Sequence, residues 1–459
     1  MEMTSKERIL AAMNLQRPDR VPLMCQFSIG CMMEQLHPDP VAFWYDQQTF
    51  ADGLIELRER FRFDGILVSL HGHSDDWKRD LLSREELGEG SVRLEYPDRT
   101  ELHCWQDLPV VTFRSPRKSL DLESVDVERD IPGQLDYIPV SHNLYFRLDP
   151  ENLYGIFDYL YSRVGDSCSI HGEITSPLDY YLDLFGYEQG LMGLIMYPAK
   201  AAQILQRFTD GVKRIARGMC RMPVDAIKIS SPFAGRGFIS SEFYEQFVLP
   251  YESQIIREIR QAGKFVYIHT CGSIGDRLEL MQRSGASGLE CLDPVPVGDV
   301  DLEDAFRRIG REMFIKGNID SINTLLMADD AKAEEDVRRI IRTGMTLGRG
   351  FILSTACSIA PLVVMVMRET PSSRVGATLS DSMLKPRPLN SPATRERTPG
   401  SFSTSTDKTR RILPPRAVKV HPRGQHLYDQ HFVQRGPGRH NGRNILFPVH
   451  QHVNNSGPR

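Results

Sequence analysis

The chain has 459 residues, more than one ordinary hydrophobic core needs, and its formal net charge is only −4. That average hides a break: residues 371–459 carry 15 Lys and Arg against 4 Asp and Glu, leaving 41 basic and 56 acidic residues, a formal −15, in residues 1–370. An acidic body argues against nucleic acid as a partner, the absence of any apolar run of 18 residues argues against a bilayer span, and eight cysteines are too few for a disulfide scaffold.

In chain order, residues 4–16 predict a short helix, capped by Thr4 or Ser5 and carrying Ile9, Leu10 and Met13 on one face. This charged, amphipathic start is unlike a secretory leader, which makes cytoplasm the expected location. A break at Pro18-Asp19-Arg20 leads into an apolar strand over 21–27, then a helical stretch over 40–62 and a strand over 66–70 that empties into His71-Gly72-His73. Residues 91–105 predict a local antiparallel excursion, and 107–149 are weakly patterned. A helix over 150–165 follows. Further strands are expected at 168–174, 225–231, 264–270, 287–292, 312–317 and 350–356, with helices at about 189–218, 241–262, 273–284, 299–309 and 330–348. Eight short apolar strands separated mostly by helices predict a TIM (β/α)8 barrel with an N-terminal extension and an antiparallel insertion over 1–370. An open doubly wound sheet is the alternative, weakened by the lack of an early Gly-x-Gly-x-x-Gly. The Pro-, Ser-, Arg- and His-rich residues 371–459 read as a basic appendage, disordered or the product of a shifted reading frame.

In a barrel, chemistry gathers where strands end. The strand ends carry His71 and His73, Glu173, Ser230 and Ser231, His269-Thr270-Cys271-Gly272, Glu290 with Asp293, Asn318 with Asp320, and Cys357. In an extended strand His269 and Cys271 point to one side, because side chains alternate with period two. An imidazole and a thiol on one face suit zinc; Cys357, at the end of the last strand, is the candidate third ligand, leaving one position open for substrate. Buried structural roles are the plain alternative for all three. Glu173, Glu290 and Asp320 are candidates for acid–base or outer-shell work, with Glu290 nearest the metal by strand order. His71, His73 and Asn318 are candidates for gripping a substrate or cofactor. Gly272 suits a tight turn into a helix expected near 274, whose free N–H groups could hold an anion.

The chain resembles the uroporphyrinogen decarboxylase superfamily across about residues 4–361. The matching segments are Arg17-Pro18-Asp19-Arg20-Val21-Pro22, Gly172-Glu173-Ile174-Thr175-Ser176-Pro177, Leu184-Phe185-Gly186-Tyr187-Glu188, the run from Ser240 to Pro250, Gly317-Asn318-Ile319-Asp320 and Gly350-Phe351-Ile352-Leu353-Ser354-Thr355. The resemblance implies a TIM barrel. The decarboxylase branch has an arginine-rich motif after its first strand, where this chain has Met24-Cys25-Gln26-Phe27-Ser28-Ile29-Gly30, without arginine. Its Ser-Asp-Ile segment and late Gly-His-Gly are replaced by Ser69-Leu70-His71 and Ala356-Cys357-Ser358.

The corrinoid-linked methyltransferase branch has a zinc motif of His-x-Cys followed much later by Cys, which falls on His269, Cys271 and Cys357, with Ala356 in place of the usual glycine. The resemblance implies a zinc-dependent transfer of a methyl group between a methyl-corrinoid protein and a thiol or similar acceptor, with neither nucleic acid nor membrane as partner. Tetrapyrrole decarboxylation and a non-catalytic corrinoid- or tetrapyrrole-binding barrel are the alternatives. Beyond Cys357 the chain departs from the family, so the last barrel helix is expected to be replaced or cut short.

Overall fold

A computed structural model of the chain describes residues 2–115, 120–141 and 144–359. The tail beyond 370, and the segment where the last barrel helix was expected to be altered, lie outside the described residues.

Thirteen strands are described: β1 (Gly65–Val68), β2 (Ser83–Gly88), β3 (Ser91–Glu95), β4 (Arg99–Cys104), β5 (Asp107–Phe113), β6 (Tyr137–Ser141), β7 (Leu144–Arg147), β8 (Ser169–Thr175), β9 (Ala226–Ser230), β10 (Phe265–Thr270), β11 (Gly288–Cys291), β12 (Phe314–Ile319) and β13 (Phe351–Thr355). Seven of them make one parallel sheet in the order β1-β8-β9-β10-β11-β12-β13. Its strands are buried along almost their whole length, as expected where both faces are covered. The remaining barrel strand expected from the sequence, 21–27, is met only as isolated bridges, Leu23 to Leu353 and Phe27 to Ile359. Met24 N–H donates to Leu353 O at 3.0 Å, and Asp64 N–H, just before β1, donates to Leu23 O at 2.7 Å. The segment therefore touches both outer strands of the curled sheet.

A charged clasp holds that junction. The fully buried Asp64 accepts from Arg8 at 2.7 Å, from Arg20 at 2.8 and 2.9 Å, and from Leu23 N–H at 2.8 Å. Asp19 takes the other edge of the Arg8 guanidinium at 2.6 and 3.0 Å. The helix Ser5–Met13, closed by a Thr4/Glu7 capping box, lies against the start of the sheet. Its Ile9, Ala12 and Met13 pack with Met24, Leu67, Ala226, Tyr267, Phe314 and Ile352, a core separate from the main one. Those side chains come from six different segments of the sheet, so the helix plugs the end opposite the strand C-termini.

The antiparallel excursion is larger than the sequence suggested. It is the four-stranded sheet β2-β3-β4-β5, followed by the hairpin β6-β7. The weakly patterned 107–149 thus hold strands, whose half-exposed faces give no clean apolar run. The expected 150–165 helix begins at Gly155, and the expected 273–284 helix is only Leu278–Arg283. The apolar Ile29–Leu36 forms a helix unforeseen in the sequence, with six of its eight residues buried. Tyr180 and Tyr181 lie buried in the helix Pro177–Phe185.

Candidate metal centre

Parallel register builds the centre from adjacent strands. His269 on β10 pairs with Glu290 on β11, and Glu290 pairs with Lys316 on β12. His269 Nδ1 lies 3.0 Å from Glu290 Oε2. A carboxylate can only accept, so Nδ1 carries a proton, and in the neutral ring it is Nε2 that presents its lone pair on the other side. Nε2 is 3.2 Å from Cys271 Sγ, and Cys271 Sγ is 3.4 Å from Cys357 Sγ, two residues past β13. A fourth donor joins them: the donor atoms of His269, Cys271, Cys291 and Cys357 all lie within 4.8 Å of one another. Three of the four residues are buried and Cys271 is half-buried.

The carboxylate behind the histidine is itself caged. Glu290 Oε1 takes the Lys316 ammonium, and Oε2 lies 3.4 Å from Lys228 Nζ. Lys228 in turn is 3.1 Å from Glu173 Oε2. Both lysines are fully buried. Burial alone would raise Glu290, but Lys316 and Lys228 hold it well below the usual carboxylate range. Burial also opposes an imidazolium at His269, yet Cys271 and then Cys357 beside it lift the ring well above the ordinary histidine value. Hydrogen bonds from Cys271 and Cys291 hold the Cys357 thiol well below its usual range, against burial. Cys357 is therefore the first of the clustered thiols to give up its proton.

Asp293 closes the rim. Its Oδ2 accepts from Gly272 N–H at 2.7 Å and from the Cys291 thiol at 3.2 Å. Burial, and then the nearby Cys357 charge, push its carboxyl up to about 6. Because Gly272 N–H is spent on Asp293 and the next helix starts only at Leu278, the anion-binding helix start expected near 274 is not formed.

The other sequence candidates divide clearly. Glu290 and, through Lys228, Glu173 belong to the charge network beneath the donors. Asp320 does not reach them: its oxygens accept from Ile322 N–H, Asn323 N–H and the Asn323 amide, capping a turn after β12. Asn318 donates to Leu292 O at 3.0 Å, bracing the chain beyond β11. His71 and His73 lie outside the donor group. His71 Nδ1 is 2.9 Å from Leu153 O and its ring stacks on Tyr154, while His73 sits against Phe50 and Phe146. Burial pushes His71 down to about 4, and burial with His71 nearby takes His73 to about 3, so both rings are neutral near pH 7. The donor missed in the sequence is Cys291. Its neighbour Glu290 faces inward, so regular alternation sends Cys291 the other way.

A curled parallel sheet with polar residues at its strand ends defines a class, and comparison with known proteins refines it. The uroporphyrinogen decarboxylase (URO-D) family model matches residues 145–366. That match and the relatives that follow support a place in the uroporphyrinogen decarboxylase superfamily. Within it, the chain lies close to methylcobamide:CoM methyltransferase MtbA of Methanosarcina mazei, with 21% identity over 369 residues, 77% of this chain and 94% of the relative. A methylated-thiol–coenzyme M methyltransferase from the same organism is 26% identical over 230 residues, 48% of this chain and 58% of that one. A uroporphyrinogen decarboxylase from Crocosphaera subtropica is 26% identical over 227 residues, covering 45% and 61%. Among solved structures, a methyltransferase from Methanosarcina mazei superposes with a TM-score of 0.58 at 20% identity, over 82% of this chain and 97% of its own, which shows a shared fold. No described helix is long and apolar enough to cross a membrane.

Proposed function

We propose that the chain is a zinc-dependent methyltransferase that moves a methyl group between a methyl-corrinoid carried by a partner protein and a thiol or similar acceptor. The observation that carries this reading is the convergence of His269, Cys271 and Cys357 from two distant strand ends onto one point. The donor set fits the ion: tetrahedral zinc with sulfur at about 2.3 Å holds its ligands roughly 3.8 Å apart, and the cluster's donors lie between 3.2 and 4.8 Å of one another. When bound, zinc holds an acceptor thiol as its thiolate, a nucleophile near neutral pH.

The chain's own residues do the rest. Glu290 fixes the His269 tautomer so that Nε2 faces the shared point, and Lys316 and Lys228 keep that carboxylate ionised. The helix Ser5–Met13 fills the opposite end of the sheet, so small molecules and partner alike approach from the rim. The relatives named for methyl transfer to coenzyme M support the same reaction class. Tetrapyrrole decarboxylation has the family match in its favour, but the segment 24–30 offers no arginine for a polycarboxylate substrate.

Elemental analysis of purified wild type and Cys271→Ser tests the site. About one zinc per wild-type chain and none in the variant is expected. Equal zinc in both refutes the ligand assignment, and turnover of uroporphyrinogen without metal decides for the decarboxylase.

A further inference from the structure

The helices that cover β9 and β10 bury an acid that the chain itself leaves unanswered. Glu252, on the helix Leu249–Gln261, is fully buried, and among the described residues neither of its oxygens has a hydrogen-bond partner. Two hydroxyls face it. Ser231, just past β9, and Tyr244, on the helix Ser241–Phe247, are fully buried and close enough to act on its carboxyl, yet neither hydroxyl oxygen is in hydrogen-bonding geometry with any described group. Thr270 Oγ1 is another buried oxygen without a partner. Alternation sets it on the face of β10 opposite His269, the side on which the helix Leu249–Gln261 packs.

Polar groups buried this deeply are almost always paired with protein, water or an ion. The buried Arg277 does not supply the missing charge, although its guanidinium stands 5.6 Å from the Tyr244 ring. It is already matched by Asp276 at 2.9 and 3.2 Å and by the carbonyls of Ala234 and Ile239 at 2.7 and 3.0 Å. Asp179 only adds to the negative field around Glu252. Burial and the neighbouring carboxylate keep the Tyr244 phenol protonated. The set is therefore one carboxylate and neutral hydroxyls, all oxygen, with a single negative charge. Zinc prefers nitrogen and sulfur, and calcium gathers more ligands and more carboxylates. Oxygens about 2.4 Å from a shared ion lie roughly 3.4 Å apart, beyond the range of about 2.5–3.0 Å for an O–H···O bond. Oxygens that face one another without bonding suit that spacing.

We propose that Glu252, Ser231 and Tyr244 hold a monovalent alkali cation, sodium or potassium, behind the strand end that carries His269. The ion takes the place of the Glu252 proton, which leaves to solvent, so charge is conserved. Ser231 N–H donates to His269 O at 2.9 Å, so an ion on the Ser231 hydroxyl ties two covering helices to the strand end that presents His269 and Cys271. None of the three residues is a donor of the metal centre, and the cation site stands whether or not that centre takes zinc.

Sodium-23 NMR and thermal unfolding of the full chain at pH 8 test this on wild type, Glu252→Gln and Ser231→Ala. Wild type is expected to broaden the sodium line, and added KCl to sharpen it again by competition. With a Kd of about 10 mM, 100 mM of the ion should raise the folding equilibrium constant about tenfold over choline chloride at equal ionic strength. Glu252→Gln should show neither effect, and Ser231→Ala should weaken both. Should Glu252→Gln fail to fold, Ser231→Ala carries the comparison. Equal unfolding temperatures in NaCl, KCl and choline chloride, with no line broadening, overturn the proposal and leave water as the partner of these oxygens. Broadening and stabilisation that persist unchanged in both variants place the ion elsewhere and overturn it as well.

Discussion

Replacing Glu290 with glutamine keeps the side chain's shape and removes one charge at the most crowded point of the centre. In the wild type both oxygens are used: Oε1 on Lys316, and Oε2 3.0 Å from His269 Nδ1 and 3.4 Å from Lys228 Nζ. Glutamine offers one acceptor oxygen and one N–H2 group that must face a donor. Lys228 retains Glu173 at 3.1 Å, but Lys316 is left with the Tyr267 ring at 5.4 Å. A fully buried ammonium without its counter-ion costs about 3–5 kcal/mol, so the metal-free variant should lose that much stability in urea unfolding. Zinc affinity should fall about 10- to 100-fold, because His269 is no longer held in one tautomer. Competition against a chromophoric chelator measures it. Glu173→Gln is the control, since Glu173 touches Lys228 and not the histidine. A Glu290→Gln affinity within about twofold of wild type would refute the claim that this carboxylate orients the ligand.

A pH effect is expected from Glu252, fully buried on the helix Leu249–Gln261, whose two oxygens lack hydrogen-bond partners. Burial pushes its carboxyl from an ordinary 4.5 up to about 7. The folded chain then holds a proton that the unfolded chain releases, so stability falls as pH rises between those values, by about 3 kcal/mol in all. Glu252→Gln should remove that loss, gaining most at pH 8 and little at pH 4; identical pH dependence in variant and wild type would sink the idea. Asp64→Ala strands the buried Arg8 and frees Leu23 N–H, and should destabilise by about 3–5 kcal/mol in denaturant titration without changing zinc affinity. A loss under about 1 kcal/mol would show that the clasp is not what joins these segments.

What could be read from the sequence followed from regular periods. His269 and Cys271 share a strand face by simple alternation, and Cys357 ends another strand of the same sheet. Cys291 was hidden because its position depends on two residues leaving the extended region, which no period encodes. The helix Ile29–Leu36 was hidden for a different reason: nearly every side of it is buried, so it has no polar face to give a 3.6-residue signal. The wholly exposed β2 likewise lacks an apolar face. His71 and His73 showed the right residue type at a strand end. Only the aromatic side chains around them reveal that they are packed instead of presented. Asp64 read as a loop residue, and its worth lies in three partners from elsewhere in the chain.

The contact between segment 21–27 and β13 sets a schedule for synthesis. Ser28 N–H and Oγ donate to Ile359 O, 331 positions away, so one edge of the first strand stays bare until the last has been made. At ribosomal speeds of roughly 5–20 residues per second, the wait lasts some tens of seconds. An unpaired strand edge kept open that long invites pairing with the wrong chain. Asp64 is the safeguard available early: it is made soon after Arg8, Arg20 and Leu23, and it can pin all three before any later strand exists. Nascent chains lacking that carboxylate would face the interval with a loose edge, and their yield would suffer before their stability could be measured.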